Sequence, residues 1–70
     1  MINELSSMAE QVRARRKRVG LRQAELAELA GVSERFVFSL ENGKRSVQLD
    51  KVEAVLTALG LQLQIRRSDE

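Results

Sequence analysis

Four segments of the chain carry apolar residues at helical spacing, and a glycine follows the apolar stretch of each. The segments are SSMAEQVRARRKR, RQAELAELA, the stretch from Ser33 to ENGK, and LDKVEAVLTALG. An apolar residue at every third or fourth position turns one face of a helix towards a core, and glycine is common just past a helix end. We therefore predict four short helices, ending at Gly20, Gly31, Gly43 and Gly60.

The first, second and fourth segments each present a narrow apolar stripe. In the first segment the stripe is formed by Met8, Ala9, Val12 and Val19. In the second it is formed by Leu26, Ala27, Leu29 and Ala30, and in the fourth by Leu49, Val52, Leu56 and Leu59. Ser6 or Ser7 is expected to cap the first helix, because Ser7 and Glu10 have the spacing of a capping box.

The third segment has well-defined ends. Ser33 is a good N-cap, and Val32 before it can pack on Val37 as a hydrophobic staple. At the other end, Gly43 or Asn42 can adopt the left-handed backbone conformation that stops a helix. The second and third helices are therefore expected to be joined by a tight turn.

The only aromatic residues, Phe36 and Phe38, flank Val37, so one helix face cannot hold all three. At about 100° per residue, Val37 and Leu40 lie at the centre of the buried arc, and Phe36 lies at its edge. Ser33 and Glu41 fall close to this arc. The outward face is formed by Arg35, Phe38, Ser39 and Asn42, with Glu34 on its flank.

The end of the chain changes period. Leu61, Leu63 and Ile65 alternate with polar residues in LQLQIRR, which is the pattern of a half-buried strand. No other segment resembles a strand, so we predict that two copies of the tail pair antiparallel around a two-fold axis. A frayed C-terminus is the alternative.

Composition limits the possible functions. The chain has 70 residues, 43% of them hydrophobic, with no Pro, Cys or His, which indicates one small domain without disulfides or ordinary zinc sites. A core of this size needs further stabilisation, and we expect a second copy of the chain to supply it.

Because His, Cys, Tyr and a Gly-rich phosphate loop are absent, we expect neither an enzyme nor a cofactor. No membrane span or signal peptide is recognisable, so a cytoplasmic location is expected.

Charge is unevenly distributed. The net charge is +2, but five of the twelve basic residues lie in RARRKR, and the pI is about 9.7. Such clustering favours a polyanionic partner, although a solvated basic helix face would look the same.

The spacing from Gln23 to Glu41 is typical of a helix-turn-helix, which needs a small residue between its helices, a turn glycine and apolar anchors on the second helix. These are supplied in order by Ala27, Gly31, Val32, Val37 and Leu40. Through GLRQAELAELAGVS and LENGKR, the region from about residue 12 to residue 59 resembles the lambda-repressor-like, or XRE-type, family. The end ALGLQLQIRR resembles HipB-type antitoxins, in which a C-terminal strand joins two protomers.

The resemblance implies a mostly α, four- to five-element fold: residues 1–60 form a helix-turn-helix DNA-binding domain and residues 61–70 a dimerisation strand and tail. The third helix would enter the major groove of DNA. The expected base contacts are Glu34, Arg35, Phe38 and Asn42. The expected phosphate contacts are Arg22, Gln23, Ser33, Ser39, Lys44 and Arg45. The expected dimer contacts are Leu61, Leu63 and Ile65. Arg16 and Glu41 match positions that form a structural ion pair, which leaves Arg13, Lys17 and Arg18 to solvent or to acidic partners.

Each base contact has a chemical reason. Arg35 can bind guanine O6 and N7, Phe38 can contact a thymine methyl group, and Glu34 can accept from cytosine N4. The alternatives are a solvated Arg35 and a Phe38 that contacts protein. Arg22 departs from the family, which usually has Thr as the cap of the second helix.

The resemblance then implies a homodimeric repressor that binds palindromic operator DNA in the cytoplasm, associated with the nucleoid. It would be the antitoxin of a HipBA-like pair and would hold a HipA-like serine/threonine kinase toxin inactive. One alternative is a phage-type or metabolic repressor without a toxin. Another is a protein-interaction adaptor whose third helix docks a partner through Glu34, Phe36 and Phe38.

Overall fold

The computed structural model describes residues 4–68, with side chains from residue 8 onwards. The prediction of four helices is confirmed. They are α1 (Glu4–Arg18), α2 (Gln23–Ala30), α3 (Glu34–Glu41) and α4 (Leu49–Ala58). The predicted cap at Ser6 or Ser7 is wrong, because α1 already begins at Glu4 and both serines lie within it.

The core lies where α2 packs against α3 and α4, with α1 packing on α3. Its buried residues are Val12, Leu26, Ala27, Val37, Leu40, Val52, Val55, Leu56 and Leu59. Val37 and Leu40 are 0% and 1% exposed, as the helical arc predicts. The two residues fasten α3 to the domain along one side only, so its opposite side faces solvent.

The turn between α2 and α3 determines how α3 leaves the core. Gly31 has φ 72°, a left-handed conformation that a residue with a Cβ rarely adopts. The Val32 N–H donates to the Ala27 carbonyl at 3.0 Å, which closes the end of α2 in a Schellman-type pattern. Val32 also packs on the core, and the Ser33 hydroxyl accepts from the Phe36 N–H at 3.0 Å, which confirms Ser33 as the N-cap.

Three residues of the predicted apolar stripes are exposed instead, namely Val19, Leu29 and Leu49, at 45%, 65% and 63%. Val19 lies beyond the end of α1 at Arg18, and Leu49 is the first residue of α4, so neither lies over the core. Leu29 follows Leu26 by three residues, which turns it about 60° away from Leu26 on the side opposite Ala27. These placements in the stripes were wrong.

The segment 61–67, after Gly60, has no regular secondary structure. The Leu61 N–H donates to the Leu56 carbonyl at 2.8 Å, and Leu61 packs on the core. Beyond it, Leu63 and Ile65 are 44% and 101% exposed. Within residues 4–68 of the single chain, no strand forms, so the pairing of two tails stays a prediction. The described helices are all too short or too polar to cross a membrane.

Candidate nucleic-acid interface

The solvent-facing side of α3 combines charge with one large apolar side chain. Phe38 is 56% exposed, as the helical arc predicts, and Glu34 and Arg35 are exposed one turn before it. Phe36 is half-buried and packs on the core. Because α3 is attached through Val37 and Leu40, this side can approach a partner without disturbing the core.

Asn42 closes α3 rather than pointing freely outwards. Its Nδ2 donates to the Phe38 carbonyl at 2.7 Å, and the following residue, Gly43, has φ 79°. Of the two predicted helix stops, the left-handed conformation is therefore taken by Gly43. A bidentate contact to adenine would use both the amide N–H and the carbonyl oxygen of Asn42, so a base contact requires this side chain to turn.

A buried carboxylate holds α3 to α1 and α2. Glu41 is 4% exposed, and its Oε2 and Oε1 accept from Arg16 Nε at 2.6 Å and Arg16 Nη2 at 2.9 Å. Gln23 Nε2 donates to the same Oε1 at 3.1 Å, and Arg16 Nη1 donates to the Leu21 carbonyl at 2.9 Å. The ion pair implied by the resemblance is therefore present, in bidentate form, and ties three helices together.

Both groups of this pair stay charged near neutral pH. Burial raises the pKa of Glu41, but hydrogen bonds from Arg16 and Gln23 outweigh burial, and the pKa of the carboxyl lies below its ordinary value. The hydrogen bond to Glu41 raises the pKa of Arg16. The angle of α3 is therefore set by a charged contact as well as by apolar packing.

Two further arginines of α1 bind the carboxyl ends of other helices. Arg13 Nη2 donates to the Glu41 carbonyl at 3.4 Å, and Arg15 Nε donates to the Leu59 carbonyl at 2.9 Å. Arg13 is exposed to solvent, as expected, and makes this carbonyl contact in addition, whereas Arg15 had no predicted role. Cations near the last carbonyls of a helix are favourable because those carbonyls lack partners and carry partial negative charge.

The predicted phosphate contacts fall into two groups. Arg22 and Gln23 lie at the start of α2, where Arg22 is exposed and its N–H donates to Glu25 Oε1 at 2.8 Å. Glu25 thus satisfies one N–H at this helix end, although Arg22 itself offers no acceptor for a cap. The second group, Ser33, Ser39 and Lys44, lines a cavity beside α3, while Arg45 is exposed just after it.

No cluster of three or more metal-ligating side chains occurs among the side chains that the structure describes, those of residues 8–68. The candidate interface combines hydroxyl, guanidinium, ammonium, amide and aromatic groups and one carboxylate, that of Glu34, with backbone N–H groups at helix starts. This set matches the phosphates and base edges of a nucleic acid.

Comparison with known proteins gives consistent relationships. A helix-turn-helix family model matches residues 12–65. The HTH-type transcriptional regulator y4mF of Sinorhizobium fredii is 50% identical over 54 residues, which cover 77% of this chain and 71% of the relative.

Two solved structures resemble the fold. The restriction-modification controller protein C.AhdI from Aeromonas hydrophila is 32% identical and superposes with a TM-score of 0.75, covering 84% of this chain and 89% of that chain. A chain of the HipA-HipB-O2-O3 complex superposes with a TM-score of 0.83 over 97% of this chain and 96% of that chain. The sequence identity in the second case is 22%, so that likeness concerns the fold alone.

Proposed function

Since the chain belongs to the helix-turn-helix family of transcriptional regulators, we propose that it is a homodimeric repressor that binds a palindromic operator through α3. The observation that carries this proposal is the two-sided character of α3. Val37, Leu40 and Glu41 are buried on one side, whereas Arg35 and Phe38 are exposed on the other. A helix held in this way fits the major groove of B-DNA, which is wide enough to admit it.

In this proposal the exposed side of α3 reads base edges. Arg35 binds guanine O6 and N7 with two hydrogen bonds, and Phe38 contacts a thymine methyl group. Glu34 accepts from cytosine N4, and Asn42 contributes a contact if its amide leaves the Phe38 carbonyl. The contact of Phe38 is favourable because it buries an apolar surface that is 56% exposed to water in the free chain.

The proposed phosphate contacts surround α3 and fix its position on the duplex. They are Arg22, Gln23, Ser33, Ser39, Lys44 and Arg45. Gln23 already braces Glu41, so its contact with phosphate would link the DNA backbone to the network that orients α3. Such contacts supply affinity and register, whereas the base contacts supply sequence preference.

A second copy of the chain would complete the molecule. Residues 1–60 would form the DNA-binding domain, and residues 61–70 would pair with the partner's tail through Leu61, Leu63 and Ile65. Support comes from an open apolar groove of about 600 Å³, whose lining includes Val52, Leu61 and Leu63. Leu63 and Ile65, exposed in the single chain, would become buried in the pair. Two copies of α3 would then lie about 34 to 36 Å apart, one turn of DNA.

The finer assignment is to an antitoxin. We propose a HipBA-like pair in which the chain holds a HipA-like serine/threonine kinase toxin inactive and represses their common operon. The likeness in fold to the HipA-HipB-O2-O3 complex supports this assignment. In this role the chain acts in the cytoplasm on nucleoid DNA, and it is not itself an enzyme.

The likeness to C.AhdI favours a second candidate, a controller of a restriction-modification operon without a toxin, which is one form of stand-alone repressor. The reading frame beside the gene separates the two. A kinase-like gene supports the antitoxin, and a restriction endonuclease or methyltransferase gene supports the controller.

Substitution of the two exposed residues of α3 tests the groove assignment. We expect Arg35→Ala and Phe38→Ala each to lower affinity for the DNA flanking the gene at least about 30-fold, because a good base contact contributes about 1 to 3 kcal/mol and a dimer loses two. A gel shift with the full chain measures the loss. Thermal unfolding should be almost unchanged, since both side chains are exposed.

Matched controls use exposed residues away from α3. Arg18→Ala removes the same charge from α1, and Leu29→Ala removes an exposed apolar side chain from α2. Both should bind like the unaltered chain. If Arg35→Ala and Phe38→Ala also retain full affinity, α3 does not read the groove, and the adaptor alternative gains support.

A further inference from the structure

A small basic cavity lies between α3 and the start of α4. Its volume is about 300 Å³. Three hydroxyl groups and three cations line it, from Ser33, Ser39, Ser46, Arg35, Lys44 and Lys51. Phe36 and Val47 supply its apolar part, and no carboxylate of the described residues lines it. A half-open surface cavity with three cations, several donors and no acid is suited to an anion.

Among the three cations, Lys51 is the one that the predicted DNA contacts of the helix-turn-helix do not include. It lies on the first turns of α4, and its Nζ is 6.0 Å from the centroid of the Phe36 ring. The face of an aromatic ring attracts an ammonium group, and Phe36 is itself held against the core. Because an ammonium group has three N–H donors, a ring on one side leaves donors for a ligand on another.

The start of α4 adds to the same charge. Gln48 is the N-cap and makes no side-chain cap hydrogen bond, so its side chain satisfies none of the first N–H groups of this ten-residue helix. Gln48 lines the cavity, whereas Asp50, the acid of the first turn, does not. The partial positive charge at this helix start therefore reinforces the three cations.

We propose that Lys51, positioned by Phe36, completes with Lys44 and Ser46 a pocket that binds one phosphodiester group of the DNA backbone. This inference rests on the proposed DNA-binding function and extends it to α4. Because Ser33 and Ser39 line the pocket, it lies directly beside α3. The edge of the DNA major groove would lie there if α3 enters that groove. Phe36 acts as a positioning residue for Lys51 and does not itself touch DNA.

The dependence of binding on salt tests the pocket directly. Each phosphate contact contributes about −0.9 to the slope of log affinity against log salt concentration, so Lys51→Gln should make the slope shallower by about 1.8 for a dimer. Fluorescence anisotropy of the full chain, with the DNA flanking its gene and with a duplex of unrelated sequence, measures both slopes. A phosphate contact changes both, because phosphates carry no sequence information.

Three variants distinguish a ligand contact from a structural role. Lys17→Gln removes the same charge from the exposed face of α1 and should leave the slope unchanged. Lys51→Arg keeps the charge and should restore the slope. Phe36→Leu should weaken binding in the unaltered chain but add nothing to Lys51→Gln, because both changes would act through the same ammonium group.

The failures are also distinguishable. If the unaltered chain binds neither duplex, the proposed function and this inference both fail. If it binds but Lys51→Gln keeps the full slope, only this inference is wrong, and Lys51 merely packs on Phe36. If inorganic phosphate saturates the cavity at submillimolar concentration while Lys51→Gln leaves the slope unchanged, the cavity holds a free anion and the inference is also wrong.

Discussion

Glu41→Ala is expected to leave the chain largely unfolded at neutral pH. The substitution removes the acceptor of two Arg16 hydrogen bonds and one from Gln23. It leaves without its partner the charge of Arg16, whose side chain is 12% exposed in the intact pair. Breaking a buried ion pair from one side costs about 3 to 5 kcal/mol. A core of this size seldom supplies more than about 3 to 5 kcal/mol. Circular dichroism during heating and urea titration measures the loss.

Glu34→Ala is the matched control, because it removes an exposed carboxylate from the same helix. Its effect should stay within about 1 kcal/mol, since only a favourable charge at the helix start is lost. A Glu41→Ala chain that melts as cooperatively and as late as Glu34→Ala would show that apolar packing alone holds α3.

The same carboxylate predicts a dependence of stability on pH. The pKa of Glu41 is lower in the folded chain than its ordinary value, because Arg16 and Gln23 donate hydrogen bonds to the carboxylate, so folding favours the ionised form. This contribution is present above the ordinary pKa and is lost as pH falls through the lower folded pKa. Urea unfolding from pH 6 downwards should therefore show a loss of stability in the unaltered chain that is smaller in Glu41→Gln. Parallel losses in both chains would assign the acid sensitivity to other groups.

Placing charge on the tail is expected to separate the dimer and to weaken operator binding about 10²- to 10⁴-fold. In a dimer, binding of one half-site raises the effective concentration of the second copy of α3 at the other half-site, which increases the overall affinity by about this factor. A monomer does not have this increase. We propose the double substitution Leu63→Asp and Ile65→Asp. Ile65 is fully exposed (101%) in the single chain, so a charge there harms folding only if another molecule covers it. Analytical ultracentrifugation measures the mass, and a gel shift measures the affinity.

The control is Gln64→Asp, which adds a negative charge to the intervening position of the alternating pattern. It should change dimerisation much less than either apolar substitution. Shortening the chain after Gly60 should likewise produce a monomer with poor stability. A stable dimer in the doubly substituted chain would place the contact between protomers elsewhere, and the tail would then be a frayed end.

The features predicted correctly from the sequence depend on residues close together in the chain. Ser33 caps α3 by accepting from the N–H three residues later, and Gly31 and Gly43 end helices through their own backbone conformation. The orientation of Val37 and Phe38 follows from about 100° per residue. The prediction of burial was wrong for Leu29, Leu49 and Val19. Each of them lies near a helix end or at the margin of an apolar stripe, and at such positions the sequence does not show how far the neighbouring helix extends.

The supporting contacts made by distant residues were largely missed. Arg13 and Arg15 donate to carbonyls 28 and 44 positions away, and nothing in RARRKR separates these arginines from solvated ones. The Arg16 to Glu41 pair was predicted only through a family resemblance. Lys51 and Phe36 belong to different helices, and their proximity depends on how α4 returns to α3.

By itself, the sequence determined four helices, their stops, and a third helix with one buried and one exposed side, because capping, glycine conformation and helical periodicity act over a few residues. Tertiary structure alone decided which basic side chains bind helix ends, which apolar ones stay in water, and how hydroxyls and cations between Ser33 and Lys51 come to line one open cavity. These properties depend on the angles and distances between packed helices, which no local pattern encodes.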